Sequence, residues 1–122
     1  MSHIISREDH SLTLDDGTKF TFDIIGKTIY IYVSYRYASA CITLEGADAL
    51  LFAAYLAESR AKPGNEYKFK TRDNFNVVVK PGEKSALSVY DGERMLIEVF
   101  LDKKATLMLA EMVIRSVRHS VK

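Results

Sequence analysis

The chain has 122 residues, of which 48% are hydrophobic and 27% are charged, proportions typical of a globular protein with one modest core. Its 17 basic and 16 acidic side chains leave a net charge of +1, which excludes a polycation. No apolar run approaches the roughly 18 residues that cross a bilayer, and MSHIISREDH lacks the apolar core of a signal peptide. We therefore expect one soluble, cytoplasmic domain covering residues 1–122.

In chain order, four strands are predicted first, between residues 11 and 44. SLTLDD turns at Asp15-Asp16-Gly17 into KFTFDII, which is a strong hairpin signal, and Gly26-Lys27 leads into TIYIYVSYRY. ACITL adds a short fourth strand. ADALLFAAYLAESR at 47–60 then predicts a helix. This helix is apolar around most of its circumference, so we expect it to be largely buried.

The second half of the chain repeats this order of elements. EYKFKTR, NFNVVVK, ALSVY and MLIEVFL are the predicted strands. Turn signals separate them at Asp73-Asn74, Pro81-Gly82 and Asp91-Gly92. Asp102 is the predicted N-cap of a second helix, from about Lys103 to His119.

A gapless offset of 57 residues superimposes the two halves. It aligns ITLEGADALLFAAYL at 42–56 with VFLDKKATLMLAEMV at 99–113, and LTLDDGTKFTF at 12–22 with FKTRDNFNVVV at 69–79. The sequence thus predicts an α+β fold of two tandem ββββα units, about 11–60 and 67–119, in which curved antiparallel sheets are backed by two helices. Pro63-Gly64-Asn65 is the linker candidate and is too short to separate two domains.

The sequence contains no side-chain pattern typical of catalysis or metal binding. The histidines lie near the chain ends: His3, His10 and His119. Cys41, the single cysteine, is expected to act as a small buried hydrophobe, and Glu8-Asp9 is expected to lie in a frayed end. No glycine-rich phosphate loop occurs. We expect no enzymatic activity, no metal and no cofactor; a small enzyme with a pocket between the two units is the least favoured alternative.

YKFKTR, at the start of the second unit, alternates in a way that suggests a function. Tyr67 and Phe69 share one side of a strand, which would pack under the helices. The opposite side and the following segment carry cations: Lys68, Lys70, Arg72, Lys80 and Lys84. Cations about 6 to 7 Å apart on an open sheet face suit the phosphates of an extended single strand. The alternative is ordinary solvent exposure, since lysine on an edge strand discourages aggregation.

TIYIYVSYRY adds the aromatic side chains that single-strand binding requires. Its alternation puts Tyr30, Tyr32 and Arg36 on one side. The opposite side begins with aliphatic residues, so we expect that side to face the core. We then expect the three residues to be exposed beside the cationic strand. The gapless repeat conflicts with this expectation, because it aligns both tyrosines with Leu87 and Val89, which should be buried. Two interpretations of the tyrosines stay open: a stacking platform and part of the core.

The duplicated unit resembles the Whirly family, and a single unit resembles the transcriptional coactivator positive cofactor four, both of which bind single-stranded DNA. Two strand-to-helix passages carry the similarity, ITLEGADALLFAAYL and VFLDKKATLMLAEMV, together with KSALSV at 84–89, which is similar to a lysine-alanine-leucine strand motif of Whirly proteins. The resemblance implies that a sheet surface and its hairpin loops grip the strand and that the helices assemble a homo-oligomer. It also implies a role in replication, recombination or transcription, and adds weight to Lys84.

Two functions from different classes follow from these observations. The first is non-enzymatic binding of single-stranded nucleic acid, with DNA favoured, through the cations and tyrosines named above. The second is a protein-interaction module, a regulator or inhibitor that docks on a larger partner. Its contact surface would be apolar side chains of the helices: Phe52, Tyr55, Met108 and Met112.

Overall fold

The computed structural model describes residues 4–8, 10–61, 66–80 and 83–120. The first sheet has five antiparallel strands in sequential order: β1 (Ile4–Glu8), β2 (Ser11–Leu14), β3 (Lys19–Ile25), β4 (Thr28–Tyr35) and β5 (Ala38–Glu45). The second has four: β6 (Tyr67–Lys70), β7 (Asn76–Lys80), β8 (Ser85–Asp91) and β9 (Arg94–Leu101). Helix α1 (Gly46–Ala61) follows the first sheet, and α2 (Lys103–Ser120) follows the second. The chain is therefore α+β, with two tandem sheet-and-helix units.

The predicted elements are present, and one strand exceeds the prediction. β1 pairs with β2 and ends at Glu8, which was expected in a frayed end. IISRE lacks clean alternation, so its pairing depends on the neighbouring strand more than on its own pattern. Asp9, the linker Pro63-Gly64-Asn65 and the turn at Pro81-Gly82 lie outside the described residues. No helix in the described ranges is long and apolar enough to cross a membrane.

The strand registers show the internal repeat directly. Leu12 pairs with Phe20 across β2 and β3, and Phe69 pairs with Val77 across β6 and β7, each residue lying 57 positions beyond its equivalent. Between β4 and β5, Ile29 pairs with Leu44. The equivalent pair across β8 and β9 is Ser85 with Leu101. Leu101 lies 57 positions after Leu44, whereas Ser85 lies only 56 positions after Ile29.

This one-residue change settles the conflict over the tyrosines. A shift of one residue exchanges the two faces of a strand, because side chains alternate with a period of two. Leu87 and Val89 therefore lie in the core, whereas Tyr30 and Tyr32 lie on the opposite side of their own strand. A register irregularity opposite Val89 and Tyr90, where β9 has one extra residue between Met95 and Ile97, then restores the original offset within β9.

One core lies under both sheets, and each helix packs on the other unit's sheet. α1 contacts β6, β7 and β8 in addition to β5, and its Phe52 ring lies 5.5 Å from that of Phe69. Tyr55 stacks on Tyr67 at 4.8 Å between centroids. α2 packs on β3 and β4 of the first sheet, and on α1. Because each helix covers the sheet of the other unit, the two units share one hydrophobic core.

Helix α1 is not buried all round, which corrects the expectation from its composition. One face is exposed and consists of Ala47, Leu50, Leu51, Ala54 and Ala57. We call these five residues the α1 outer face. Leu50 is 50% exposed and Leu51 is 38% exposed. The equivalent positions of α2 are mixed in character: Lys104, Leu107, Met108, Glu111 and Ile114.

Candidate nucleic-acid interface

Strand β6 confirms the alternation read from its sequence. Tyr67 and Phe69 are half-buried against α1, and Lys68 and Lys70 are exposed on the other side. β6 is one of the two edge strands of its sheet. The core side is fixed by the aromatic contacts with α1, so the lysines have to face away from the helices.

The lysines belong to a larger surface, which we call the outer face of the second sheet. The strand registers arrange it in three rows that cross the sheet. The first row is Lys70, Asn76 and Tyr90. The second is Lys68, Val78, Ser88 and Glu98. The third is Lys80, Ala86 and Phe100. Cations lie at one side of this face, and Phe100, 45% exposed, lies at the other.

The middle of this outer face is a shallow depression with a closed floor. Val78 is 6% exposed and Ser88 is fully buried. The Ser88 hydroxyl donates a hydrogen bond of 2.9 Å to Oε2 of Glu98. The depression has a volume of about 460 Å³, and Lys68, Asn76, Lys80 and Tyr90 are among its lining residues. Sequence reasoning did not find Asn76 or Tyr90, because only the register places them beside the lysines.

Arg72 does not continue the row of lysines. β6 ends at Lys70, and Thr71 is buried at 6% exposure while its hydroxyl accepts a 3.2 Å hydrogen bond from the backbone N–H of Phe75. The chain turns here, with Asn74 at a φ of 69°. Arg72 therefore points toward the first unit, where its guanidinium donates to the carboxylate of Glu45.

The turn that contains Arg72 docks on β5. The Thr43 hydroxyl donates a 2.6 Å hydrogen bond to Oδ2 of Asp73, and the Thr43 carbonyl accepts one of 3.3 Å from the backbone N–H of Arg72. Thr43 is 5% exposed. Because Thr43 lies directly opposite Tyr30 in the β4–β5 ladder, the end of the cationic strand lies next to the tyrosines.

Tyr30 and Tyr32 lie on the open face of the first sheet, the side away from its buried aliphatic residues. Their rings are nearly parallel, with 6.5 Å between centroids and 17° between planes. Tyr32 is 46% exposed and Tyr30 is half-buried, so they do not belong to the core. Of the two interpretations left open by the sequence, a position in the core is thus excluded, and both tyrosines lie at the surface.

The surroundings of Tyr32 and of the neighbouring Cys41 raise the pKa of both side chains. Desolvation at the sheet surface, followed by the nearby Cys41 and Asp23, raises the pKa of the Tyr32 phenol. Burial raises the pKa of the Cys41 thiol; its contact with the Thr43 hydroxyl lowers this pKa, and Asp73 raises it. Cys41 is half-buried on the open face, not in the core as expected, and the raised pKa disfavours the reactive thiolate.

The remaining predicted cations lie apart from the lysine row. Arg36 is in the turn after β4 with a φ of 55°, so it leaves the face of Tyr30 and Tyr32, and its guanidinium carbon lies 5.1 Å from the centroid of the Tyr35 ring. Lys84 precedes β8 and lines a separate cavity at the start of α2. That cavity has a volume of about 700 Å³ and includes Lys103 and Lys104.

The charge on these surfaces is mixed. Lys68 forms an ion pair of 3.2 Å with Glu66 at the surface. Within the described ranges, Lys70 and Lys80 have no ion pair shorter than 4.0 Å. Asp23 lies opposite Tyr30 in the β3–β4 ladder. Exposed ion pairs contribute about 0 to 1 kcal/mol, so the Lys68 ammonium is available to an incoming anion.

The helix side chains expected to form a protein-contact surface are mostly buried. Phe52 and Met112 belong to the core, Tyr55 is covered by Tyr67, and Met108 is partly buried against the core. This corrects the expected apolar contact surface. The large apolar side chains that the helices do expose are Leu50, Leu51, Leu107 and Ile114.

In the part of the chain that the structure describes, no three His, Cys, Asp or Glu side chains come together as a metal site would require. His3 lies outside the described residues, and His10 and His119 are exposed. Comparisons with protein-family models, with curated proteins and with solved structures find no match to this chain. Arguments about function therefore rest on the surfaces themselves.

Proposed function

We propose that this chain is a non-enzymatic protein that binds single-stranded nucleic acid, with DNA favoured. In this proposal Lys68, Lys70 and Lys80 neutralise phosphates on the outer face of the second sheet. Tyr30 and Tyr32 stack on bases where the strand passes onto the open face of the first sheet. Cations that track a backbone, combined with rings that accept any base, are the usual components of sequence-tolerant single-strand binding.

The observation that carries the proposal is the docking of the β6–β7 turn on Thr43. This contact joins the end of the lysine row to the strand beside Tyr30. A strand bound along β6 would therefore meet the two rings without crossing a helix. Arg72 serves this arrangement as an anchor of the turn on Glu45, and Arg36 has no part in it.

The fold supports the coarser part of the Whirly resemblance, the duplicated sheet-and-helix unit. We include the family likeness and a role in replication, recombination or transcription in the proposal. Lys84 enters it through a different surface from the lysine row, the cavity that it shares with Lys103 and Lys104. The cavity is also lined by Glu83 and Asp102, and its three lysines would contact a strand that extends past the second sheet.

The proposal is tested by titrating labelled single strands of about 12 nucleotides, a length within the usual site sizes, at several salt concentrations. For single strands, log affinity falls with log salt by about 0.7 per neutralised phosphate. The double variant Lys68→Ala/Lys70→Ala should bind more weakly and lower this slope by about 1.4, if each lysine contacts one phosphate.

The matched control is Lys27→Ala/Arg118→Ala, which removes the same net charge from exposed positions away from the lysine row. It should leave the salt slope unchanged. Absence of measurable binding by the unaltered protein at about 50 mM salt, where electrostatic binding is strong, would refute the function. An equal loss of slope in both double variants would show that only net charge matters and that the lysine row is not the site.

We also propose that the chain forms a homo-oligomer through the α1 outer face. The five residues that define this face are two exposed leucines and three alanines, none of which is charged. These five residues meet their own copies without like-charge repulsion, and small residues let two helices approach closely. The alternative function, docking on a different protein partner, would use the same face, and the association experiment in the Discussion separates the two.

A further inference from the structure

The depression on the outer face of the second sheet has the parts of a pocket for one flat ring. Tyr90 is half-buried and lies directly opposite Asn76 in the β7–β8 ladder. Val78 lies two residues after Asn76, on the same face of β7. It is 6% exposed and forms an apolar floor. The volume of about 460 Å³ falls within the range of about 300 to 1,000 Å³ that small-molecule pockets occupy.

The polar groups of the depression are arranged around this apolar centre. The carboxamide of Asn76 offers both a donor and an acceptor, and within the described ranges it makes no side-chain hydrogen bond. Lys68 and Lys80 are exposed and line the same depression, as do Glu66, which is ion-paired with Lys68, and Glu93. An aromatic wall, an amide at one edge and ammonium groups at another match a base, its hydrogen-bonding edge and its phosphate.

We propose that this depression holds one adenine nucleotide of the bound strand, an inference that rests on the proposed function. The base stacks on Tyr90 over Val78, the Asn76 amide pairs with the adenine amino group and ring nitrogen, and Lys68 and Lys80 contact the adjoining phosphates. On the edge that faces the major groove in a duplex, adenine is the base that presents a donor, its amino group, beside an acceptor, N7, and an asparagine amide matches this pair with two hydrogen bonds. The protein therefore prefers adenine at one position of an otherwise sequence-tolerant site.

The test compares labelled oligo(dA) and oligo(dT) of about 12 nucleotides by fluorescence anisotropy. Tyr90→Leu should weaken oligo(dA) binding about 5- to 100-fold, which corresponds to one lost stacking contact. Tyr90→Phe should bind as the unaltered protein does, because it keeps the ring. Asn76→Ala should weaken oligo(dA) binding and leave oligo(dT) binding unchanged. Tyr37→Leu, which removes a fully exposed tyrosine in the β4–β5 turn, is the matched control and should have no effect.

The outcomes separate this inference from the function on which it rests. Normal binding by Tyr90→Leu, together with weakened binding by Lys68→Ala/Lys70→Ala, would overturn the pocket and leave the function standing. Equal binding of both oligonucleotides by the unaltered protein would overturn the adenine assignment. Failure of the unaltered protein to bind either strand would overturn both. If Tyr90→Leu does not fold, a dAMP titration of the unaltered protein followed by NMR should shift the amides of Asn76, Val78 and Tyr90; shifts confined to other residues would overturn the pocket.

Discussion

Thr43 and Asp73 are the two residues on which the junction between the lysine row and the tyrosines depends. The Thr43 hydroxyl donates the 2.6 Å hydrogen bond to the Asp73 carboxylate; Thr43 is 5% exposed, and Asp73 is exposed. Hydrogen bonds to a charged group contribute about 1.5 to 3 kcal/mol, more than neutral ones do. The Glu45–Arg72 pair beside it is exposed, and such pairs contribute about 0 to 1 kcal/mol.

We predict that Thr43→Val lowers the free energy of unfolding by about 1 to 2 kcal/mol, because valine keeps the shape and removes the hydroxyl. Arg72→Ala, the control, should lower it by less than about 1 kcal/mol. Urea denaturation measures both. A larger effect of Arg72→Ala than of Thr43→Val would mean that the ion pair, and not the buried hydroxyl, holds the turn in place.

At the scale of single elements, α2 begins where its sequence predicted. The Asp102 carboxylate accepts a 2.8 Å hydrogen bond from the backbone N–H of Ala105, which satisfies one of the free donors at the start of the helix. Asp102→Ala should lower the free energy of unfolding by about 1 kcal/mol, measured by urea denaturation. Asp102→Asn should remain close to the unaltered protein, because asparagine also caps helices well. Equal destabilisation by the two variants would indicate that the charge of Asp102, and not its cap, is what matters.

The strands show how far local pattern determines a site. The alternation in β6 was sufficient to place Lys68 and Lys70 outward, since the aromatic residues between them require the core. It did not show that the strand ends at Lys70, and Arg72 was therefore assigned to a row from which the turn removes it. In β8 the one-residue shift was hidden because a gapless comparison of the two halves cannot detect a deletion that a later bulge compensates.

For the whole molecule, the two repeat-equivalent helices differ in the character of their exposed faces. At the five described position pairs that define the repeat-equivalent faces, α1 has no charged residue, whereas α2 has Lys104 and Glu111. A helix that is apolar around its circumference is normally covered on all sides. The contrast between the uncharged α1 outer face and the partly charged equivalent face of α2 favours a contact that α1 makes and α2 does not.

We predict that the unaltered protein sediments as a multiple of its 13.8 kDa mass and that Leu50→Glu/Leu51→Glu sediments as a monomer. Introduced carboxylates at a packed apolar contact would be buried without partners, which is strongly unfavourable. The control, Leu107→Glu/Ile114→Glu on the equivalent face of α2, should retain the state of the unaltered protein. Analytical ultracentrifugation measures all three. A monomeric unaltered protein that co-purifies with a different protein would replace self-association by the docking function.

The sequence by itself determined the strands β2 to β9, both helices, the Asp102 cap of α2, the turns at Asp15-Asp16-Gly17 and Asp91-Gly92, and the outward direction of Lys68 and Lys70. These features depend on periodicity and on local backbone chemistry, which a single chain displays directly. Only the tertiary structure decided that each helix covers the other unit's sheet, that Arg72 joins Glu45, and that Asn76 and Tyr90 meet beside the lysines. Each of these is a contact between segments far apart in the chain, and its register is fixed by packing that no local pattern encodes.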